Sequence, residues 1–159
     1  MFYHLGSTKL KRFEKMKIAV ASDHGGFELK QRLVEYFSAK RVEIIKIGAE
    51  CEVSCDYPDV AKDLAECIKS NQADWGIGIC GTGVGISIAL NRHKGIRAAL
   101  TYSGFVAEMA KKHNNANVLC FGGRTMEFED VVDRVEIFMK NEFEGSRHLR
   151  RIEKMDEEY

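Results

Sequence analysis

Residues 75–86 read Trp-Gly-Ile-Gly-Ile-Cys-Gly-Thr-Gly-Val-Gly-Ile, and their pattern indicates the fold class. Residues 75–80 form a short continuous apolar run, which is typical of a strand covered on both faces. A turn at residues 81–83 follows, and residues 84–92 have the length and composition of a helix. A buried strand that passes through a glycine-rich turn into a helix predicts one unit of a parallel α/β sheet.

The same unit recurs on both sides of this stretch. Strands are predicted at residues 18–21, 42–47, 75–80, 96–101 and 117–121. Helices are predicted at residues 27–40, 59–70, 84–92, 103–112 and 127–141, and a charged tail covers 144–159. Five alternating units predict a doubly wound, five-stranded parallel sheet of Rossmann-like or flavodoxin-like type with helices on both faces and a C-terminal helical tail. The strand order expected for five units is 2-1-3-4-5.

Length and charge limit the possible functions of the chain. Its 159 residues predict one domain at 16–159, with residues 1–15 as an N-terminal extension. Lys plus Arg and Asp plus Glu both number 24, so no net charge favours nucleic acid or a membrane surface. No apolar stretch is long enough to span a membrane. Five scattered Cys argue against a secreted disulfide scaffold and favour reduced thiols in the cytoplasm.

The topology predicts where a ligand binds. Open α/β sheets bind ligands at the carboxyl ends of their strands, where the strand order reverses. For the expected order this point lies between the first and third strands, which end at Asp23-His24 and at Cys80-Gly-Thr82. An acid, an imidazole, a thiol and a hydroxyl are therefore expected to meet in one crevice.

The glycine-rich turn after the third strand favours an anion. Gly81, Gly83 and Gly85 allow the backbone to approach a ligand, and they precede a helix whose free N–H groups and dipole attract negative charge. A phosphate or an enolate oxygen suits such a turn. It is not a P-loop, since no Gly-Lys-Ser/Thr follows. Residues 76–81 match GxGxxG but lie within a strand, which disfavours a dinucleotide, and a turn that only permits tight packing remains an alternative.

The thiols and imidazoles allow more than one interpretation. Cys80 is either a thiolate favoured by the helix N-terminus or a small buried apolar residue. Cys67 and Cys120 lie in apolar segments and are interpreted as structural. Cys51 and Cys55 lack further ligands at zinc spacing, so they are interpreted as surface thiols and no metal is predicted. His24 is a candidate ligand or acid–base group.

The C-terminal half adds further candidates. His113 follows the fourth predicted helix, where a charge partner for the helix end is the alternative interpretation. Arg147 and Arg151 are four residues apart, so both can face one phosphate from a helix.

Taken together, these motifs resemble the ribose-5-phosphate isomerase B family, within the wider ribose/galactose isomerase group. The matching stretches are residues 18–27, 56–58, 78–87, 91–98, 113–119, 121–124 and 143–151. They cover nearly the whole chain from residue 16 in the family's order.

The resemblance implies a cofactor-free aldose–ketose isomerisation, in which ribose 5-phosphate and ribulose 5-phosphate of the pentose phosphate pathway interconvert through an enediolate. Cys80 matches the general base, because residues 84–86 contain no acid such as the Glu of another branch. Thr82 matches the residue that handles the hydroxyl protons. His113, helped by Asp23, matches the group that opens the sugar ring.

The resemblance also implies the binding residues and the assembly. The phosphate set comprises His24, Arg124, Arg147 and Arg151. Tyr57 and Asn114 match sugar contacts, and the N–H groups of the turn that contains Gly81, Gly83 and Gly85 hold the enediolate oxygen. Members of the family form homodimers or dimers of dimers with sites at the interface, so His113, Asn114 and Arg124 are expected to reach a site built mainly by a partner.

Three other functions remain open from the sequence. An isomerase for galactose or allose 6-phosphate would use the same base and the same turn. A non-catalytic phosphosugar-binding module would keep the glycines and arginines but would not need Cys80. A thiol redox protein would need a nearby resolving Cys, and the sequence has no CxxC.

Overall fold

A computed structural model of the chain describes residues 15–50 and 53–157. The described residues form β1 (Lys17–Ser22), β2 (Glu43–Gly48), β3 (Trp75–Cys80), β4 (Ala98–Leu100) and β5 (Val118–Gly122). They also form α1 (Phe27–Ala39), α2 (Tyr57–Lys69), α3 (Val84–Asn91), α4 (Gly104–Lys112), α5 (Phe128–Lys140) and α6 (Arg147–Asp156). Apart from Lys15, the predicted N-terminal extension lies outside the described residues, and so does Cys51.

The strands form one parallel sheet, which confirms the predicted fold class. The order is β2-β1-β3-β5-β4, so the expected order 2-1-3-4-5 is wrong in its last two strands. Every residue of β5 is buried, whereas β4 has only three residues, all half-buried. The longer apolar strand takes the inner position because it can be covered on both faces, and the short one lies at the edge. The reversal of order between β1 and β3 is unaffected.

Helices cover both faces of the sheet. α1, α4 and α5 pack on one face, where Phe37 and Phe138 are among the largest fully buried side chains. α2 and α3 cover the other face through Leu64, Ile86 and Leu90. The glycines of the GxGxxG match serve this packing: a Cβ on Gly76 would lie 2.8 Å from Leu64 Cδ1.

Local signals in the sequence place two of the helices. Ser103 caps α4, because its hydroxyl oxygen accepts the N–H of Val106 at 3.2 Å. α2 starts with Pro58 in its first turn, where a missing N–H removes no helical hydrogen bond. No helix in residues 15–50 or 53–157 combines the length and the apolar character needed to cross a membrane.

Three turns interlock at the carboxyl edge of the sheet, after β1, β3 and β5. The N–H of Gly123 donates to the Cys80 carbonyl at 2.8 Å, and the N–H of Arg124 donates to the Gly81 carbonyl at 2.9 Å. A Cβ on Gly25 would lie 3.0 Å from the Gly81 nitrogen, and one on Gly123 would lie 2.4 Å from the Gly25 carbonyl oxygen. The turns therefore touch backbone to backbone, and glycine is what permits the contact.

We predict that Gly123→Ala lowers the free energy of unfolding by about 1–3 kcal/mol, because the added methyl meets backbone that cannot rotate away. Gly104→Ala is the control, since its Cβ would meet, outside its own helix and among the described residues, Ile137 Cδ1 at the end of a flexible side chain. Urea unfolding of both variants measures the difference. Equal stability of the two variants would show that the close contact is not a constraint.

Candidate active site

The structure divides the predicted site residues between the two ends of the sheet. The carboxyl-edge group comprises Asp23, His24, Tyr57, Cys80, Gly81, Thr82, Gly83, Gly85 and Arg124. The amino-edge group comprises His113, Asn114, Arg147 and Arg151. The expected meeting of the β1 and β3 ends is observed, because the N–H of Asp23 donates to the Ile79 carbonyl at 3.2 Å.

Asp23 holds the turn after β1. Its carboxylate Oδ1 accepts the N–H of Gly25 at 2.9 Å and that of Gly26 at 3.2 Å, and the residue is buried. A carboxylate in this position caps the short 3-10 turn at His24–Gly26. One oxygen is thus occupied by the backbone, and the other is the atom through which Asp23 can act on a ligand.

His24 is held through one ring nitrogen. Its Nδ1 lies 3.2 Å from the backbone nitrogen of Cys55 and 3.3 Å from the carbonyl oxygen of the same residue. A neutral Nδ1 can accept from the N–H, and a protonated Nδ1 can donate to the carbonyl. This contact leaves Nε2 as the atom that can donate to an anion.

A buried lysine anchors the loop that carries Cys55. Lys30 Nζ donates to the carbonyls of Ile47, at 3.1 Å, and Ala49. Burial lowers the pKa of Lys30, while the carbonyl contacts satisfy its donors. Lys30 is not among the site residues predicted from the sequence, although a lysine three residues before Leu33 and seven before Phe37 stands on the apolar side of the helix.

Cys80 lies at the end of β3 with its thiol directed to the following turn. The residue is 5% exposed, and the N–H of Gly83 donates to its Sγ at 3.2 Å. Gly83, at φ 81°, precedes α3, so the dipole of that helix also points its positive end towards the sulfur. The Cys80 sulfur thus faces a backbone N–H donor and the positive end of a helix dipole. Burial raises the pKa of the Cys67 and Cys120 thiols, which keeps both of them protonated.

The turn at residues 81–85 lies between the side chains of Tyr57 and Arg124. A Cβ on Gly85 would lie 2.8 Å from Tyr57 Cζ, so the phenol ring rests on the backbone there. A Cβ on Gly81 would lie 3.2 Å from Arg124 Nη1, so a guanidinium stands at the other side. Thr82 is exposed, and its hydroxyl oxygen accepts the N–H of Val84 at 3.3 Å. The site thus offers N–H donors, a hydroxyl and a positive charge around one thiol, which suits a sugar phosphate or an enediolate.

The amino-edge group lies at the other end of the strands. His113 is the C-cap of α4, and Asn114 is held where its carbonyl accepts from Arg97 Nε at 3.1 Å, just before β4 begins. A strand of five or six residues is about 17–20 Å long, so these residues cannot reach Cys80 of the same chain. Arg124 departs from the expectation that it reaches a partner together with His113 and Asn114, because its guanidinium lies beside Gly81.

α6 packs its first turn against the end of α4. The imidazoles of His113 and His148 are stacked, with centroids 4.1 Å apart and planes 14° from parallel. Arg147 precedes His148, and Arg151 follows one turn later, so the two predicted phosphate ligands lie near His113. Burial, followed by the positive charges of His113 and Arg147, lowers the pKa of His148. His148 was not predicted as a site residue, since only the tertiary contact reveals it.

One group among the described residues has the composition of a metal site. His113, Glu144 and His148 each offer a ligand atom, and these atoms lie within 4.8 Å of one another. A cation bound by an imidazole lies in the plane of its ring. The two near-parallel ring planes do not meet near the nitrogens, so the geometry favours a stacked pair over a metal site.

Comparison with known proteins gives consistent matches. The sequence profile of the Ribose/Galactose Isomerase family matches residues 18–155. A putative sugar phosphate isomerase of Bacillus subtilis is 41% identical over 143 residues, which cover 89% of this chain and 96% of the relative.

Two solved structures extend these matches to the fold. A ribose 5-phosphate isomerase of Thermotoga maritima is 48% identical with a TM-score of 0.88, over 89% of this chain and 98% of that one. The ribose-5-phosphate isomerase B of Mycoplasma genitalium was solved with ribulose 5-phosphate bound. It is 41% identical with a TM-score of 0.84, and the match covers 89% of this chain and 95% of that one.

We predict that Asp23→Ala lowers the free energy of unfolding by about 1–3 kcal/mol, because two backbone N–H groups lose their acceptor. Asp23→Asn keeps an oxygen at this position and is expected to lose less than half as much. Urea unfolding measures both values. Equal losses in the two variants would mean that the negative charge, not the acceptor, holds the turn.

Proposed function

The chain belongs to the ribose/galactose isomerase family, and we propose that it interconverts ribose 5-phosphate and ribulose 5-phosphate through an enediolate, without a cofactor, as in the pentose phosphate pathway. The observation that carries the proposal is the contact of the Gly83 N–H with Cys80 Sγ inside a turn of further N–H donors. The ribulose 5-phosphate bound by the relative from Mycoplasma genitalium supports the choice of substrate.

The proposed chemistry moves one proton between neighbouring carbons. The Cys80 thiolate removes the C2 proton of the open-chain aldose, and the electrons of the C–H bond form the C1–C2 double bond of the enediolate. The thiol then returns a proton to C1, and the C2–O bond becomes the ketone. The backbone N–H groups of the 81–85 turn stabilise the negative oxygen, and the Thr82 hydroxyl carries the proton between O1 and O2.

Phosphate binding and ring opening complete the site. His24 and Arg124 approach the phosphate from the carboxyl-edge group, and Arg147 and Arg151 approach it from the amino-edge group. His113 exchanges protons with the ring oxygen and O1 of the furanose, assisted by Asp23. Tyr57 and Asn114 contact the sugar hydroxyls.

These two groups meet only if two copies of the chain assemble. An exposed apolar surface on α3, formed by Val84 and Ile88, supports such a homodimer, since the side chains are 45% and 55% exposed and lie one turn apart. The surface is next to the Cys80 turn, so a second copy that covers it brings its amino-edge group towards the thiol. In a twofold dimer this arrangement forms two equivalent sites.

We predict that Cys80→Ala loses about 10²–10⁴-fold in turnover of ribose 5-phosphate, because the proton acceptor is removed. The reaction is run in deuterated water and followed by NMR, which detects the ketose and deuterium at C2 of recovered aldose. Binding of the sugar phosphate, measured by calorimetry, is expected to persist. Cys67→Ala removes a thiol outside the site and is expected to retain activity.

Each other outcome selects a different function. Full turnover by Cys80→Ala would contradict the assignment of the base. A wild-type protein that binds the sugar phosphate without turnover would be a non-catalytic binding module. Faster turnover of allose 6-phosphate than of ribose 5-phosphate would identify an isomerase of hexose 6-phosphates.

We also predict complementation between two inactive chains. Co-expressed Cys80→Ala and His113→Asn chains are expected to regain about a quarter of wild-type turnover, because half of the dimers are mixed and each holds one intact site. Cys80→Ala with Arg124→Ala is the control, and no regain is expected because both changes lie in the carboxyl-edge group. Absence of regain in the first pair would contradict a shared site, and regain in the second would assign Arg124 to the partner's site.

A further inference from the structure

The ring of His148 is stacked on the ring of His113, and the proposed chemistry assigns no role to His148. His113 is half-buried, whereas His148 is 5% exposed and lies behind it. The ring centroids are 4.1 Å apart, which is contact distance for two flat rings, and the planes differ by only 14°. The face of His113 is therefore fixed by the ring of His148, while the rest of His113 can reach a ligand.

The segment before α6 holds His148 in this place. The N–H of Glu144 donates to the Lys112 carbonyl at 3.0 Å, and the N–H of His148 donates to the Gly145 carbonyl at 3.1 Å. Gly145 and Ser146 have φ values of 65° and 58°. A left-handed conformation at a residue other than glycine is unfavourable, and it persists where the surrounding structure requires it. Here it directs the start of α6 towards the end of α4.

The ring of His148 behaves as a neutral surface. Its Nε2 is buried and has no hydrogen-bond partner among residues 15–50 and 53–157. The nearest carboxylate oxygen, Glu144 Oε2, is 3.8 Å away, which is beyond hydrogen-bond distance. Burial and the positive charges of His113, Arg147 and Arg151 lower the pKa of His148, while Glu144 opposes them. Burial and the three positive charges outweigh the Glu144 carboxylate, so the ring of His148 stays uncharged beside His113.

We propose that His148 is a positioning residue for ring opening, whose neutral imidazole is the platform that fixes the plane of the His113 ring. This inference rests on the proposed function. A proton passes to or from an imidazole in the plane of the ring, along the lone-pair direction of the nitrogen. A free rotation of the His113 ring would turn that direction away from the ring oxygen and O1 of the sugar. The platform therefore acts on ring opening and not on the proton transfer at Cys80.

The two substrates of the proposed reaction separate these steps. Ribose 5-phosphate is mostly a closed furanose, which must open before its C2 proton is accessible. Ribulose 5-phosphate cannot close to a furanose, because its C2 ketone would need O5, and O5 carries the phosphate. Exchange of the C1 hydrogen of ribulose 5-phosphate with deuterated water thus reports enediolate formation without any ring opening.

The test compares His148→Leu and His148→Phe with the wild type in both assays. His148→Leu removes the flat ring and is expected to lower turnover of ribose 5-phosphate by about 10–100-fold through loss of orientation, with C1 exchange of ribulose 5-phosphate within about threefold of wild type. His148→Phe restores a flat neutral ring and is expected to stay within about threefold in both assays. Arg150→Gln, at an exposed position of the same helix, is the control and is expected to change neither assay.

Two outcomes would overturn the inference. One is that His148→Leu changes turnover of ribose 5-phosphate and C1 exchange of ribulose 5-phosphate by the same factor, or changes neither. A purely structural residue would affect both assays alike. The other is a loss for His148→Phe as large as for His148→Leu, which would assign the effect to the nitrogens of His148. Circular dichroism checks the fold, and His148→Met replaces His148→Leu if that variant does not fold. A wild-type protein without turnover of ribose 5-phosphate would contradict the proposed function itself, which is a different result from either of these.

Discussion

Three turns at the carboxyl edge of the sheet are in close backbone contact, and this contact fixes the positions of the site residues that the turns carry. A Cβ on Gly123 would collide with the backbone of Gly25, and one on Gly25 would lie 3.0 Å from the Gly81 nitrogen. Hydrogen bonds from Gly123 and Arg124 tie the last turn to the second. Because each turn follows a buried strand, the sheet fixes their relative height. Backbone geometry thus fixes the relative positions of Asp23, Cys80 and Arg124. Such preorganisation is what the stabilisation of charge in a transition state requires.

The parallel sheet also places the predicted site residues of one chain at two opposite edges. A helix that follows a strand returns to the opposite edge, so residues after strands and residues after helices are about 17–20 Å apart. The thiol, the hydroxyl and the anion-binding turn follow strands, whereas His113 and Asn114 follow α4. The same topology that brings Asp23 and Cys80 together therefore keeps His113 of the same chain at the opposite edge of the sheet. In the proposed homodimer, a second copy of the chain supplies the His113 that lies near Cys80.

Much of this arrangement could be predicted from local patterns. The alternation of apolar runs and helices predicted the fold class, and the expected reversal of strand order predicted that the ends of β1 and β3 meet. The order of β4 and β5 could not be predicted, because edge and centre positions depend on how completely the helices cover each strand. The contacts of Lys30 and His148 could not be predicted, because they join residues distant in sequence: Lys30 to the carbonyls of Ile47 and Ala49, and His148 to the His113 ring.

The contact of His24 with Cys55 is made to main-chain atoms alone. The carbonyl oxygen and the nitrogen of Cys55 both lie beside Nδ1, so the direction of the imidazole is set by the backbone of a loop and not by another side chain. Nε2 therefore keeps one direction at the carboxyl edge. The side chain at position 55 can vary without loss of this orientation, because it takes no part in the contact.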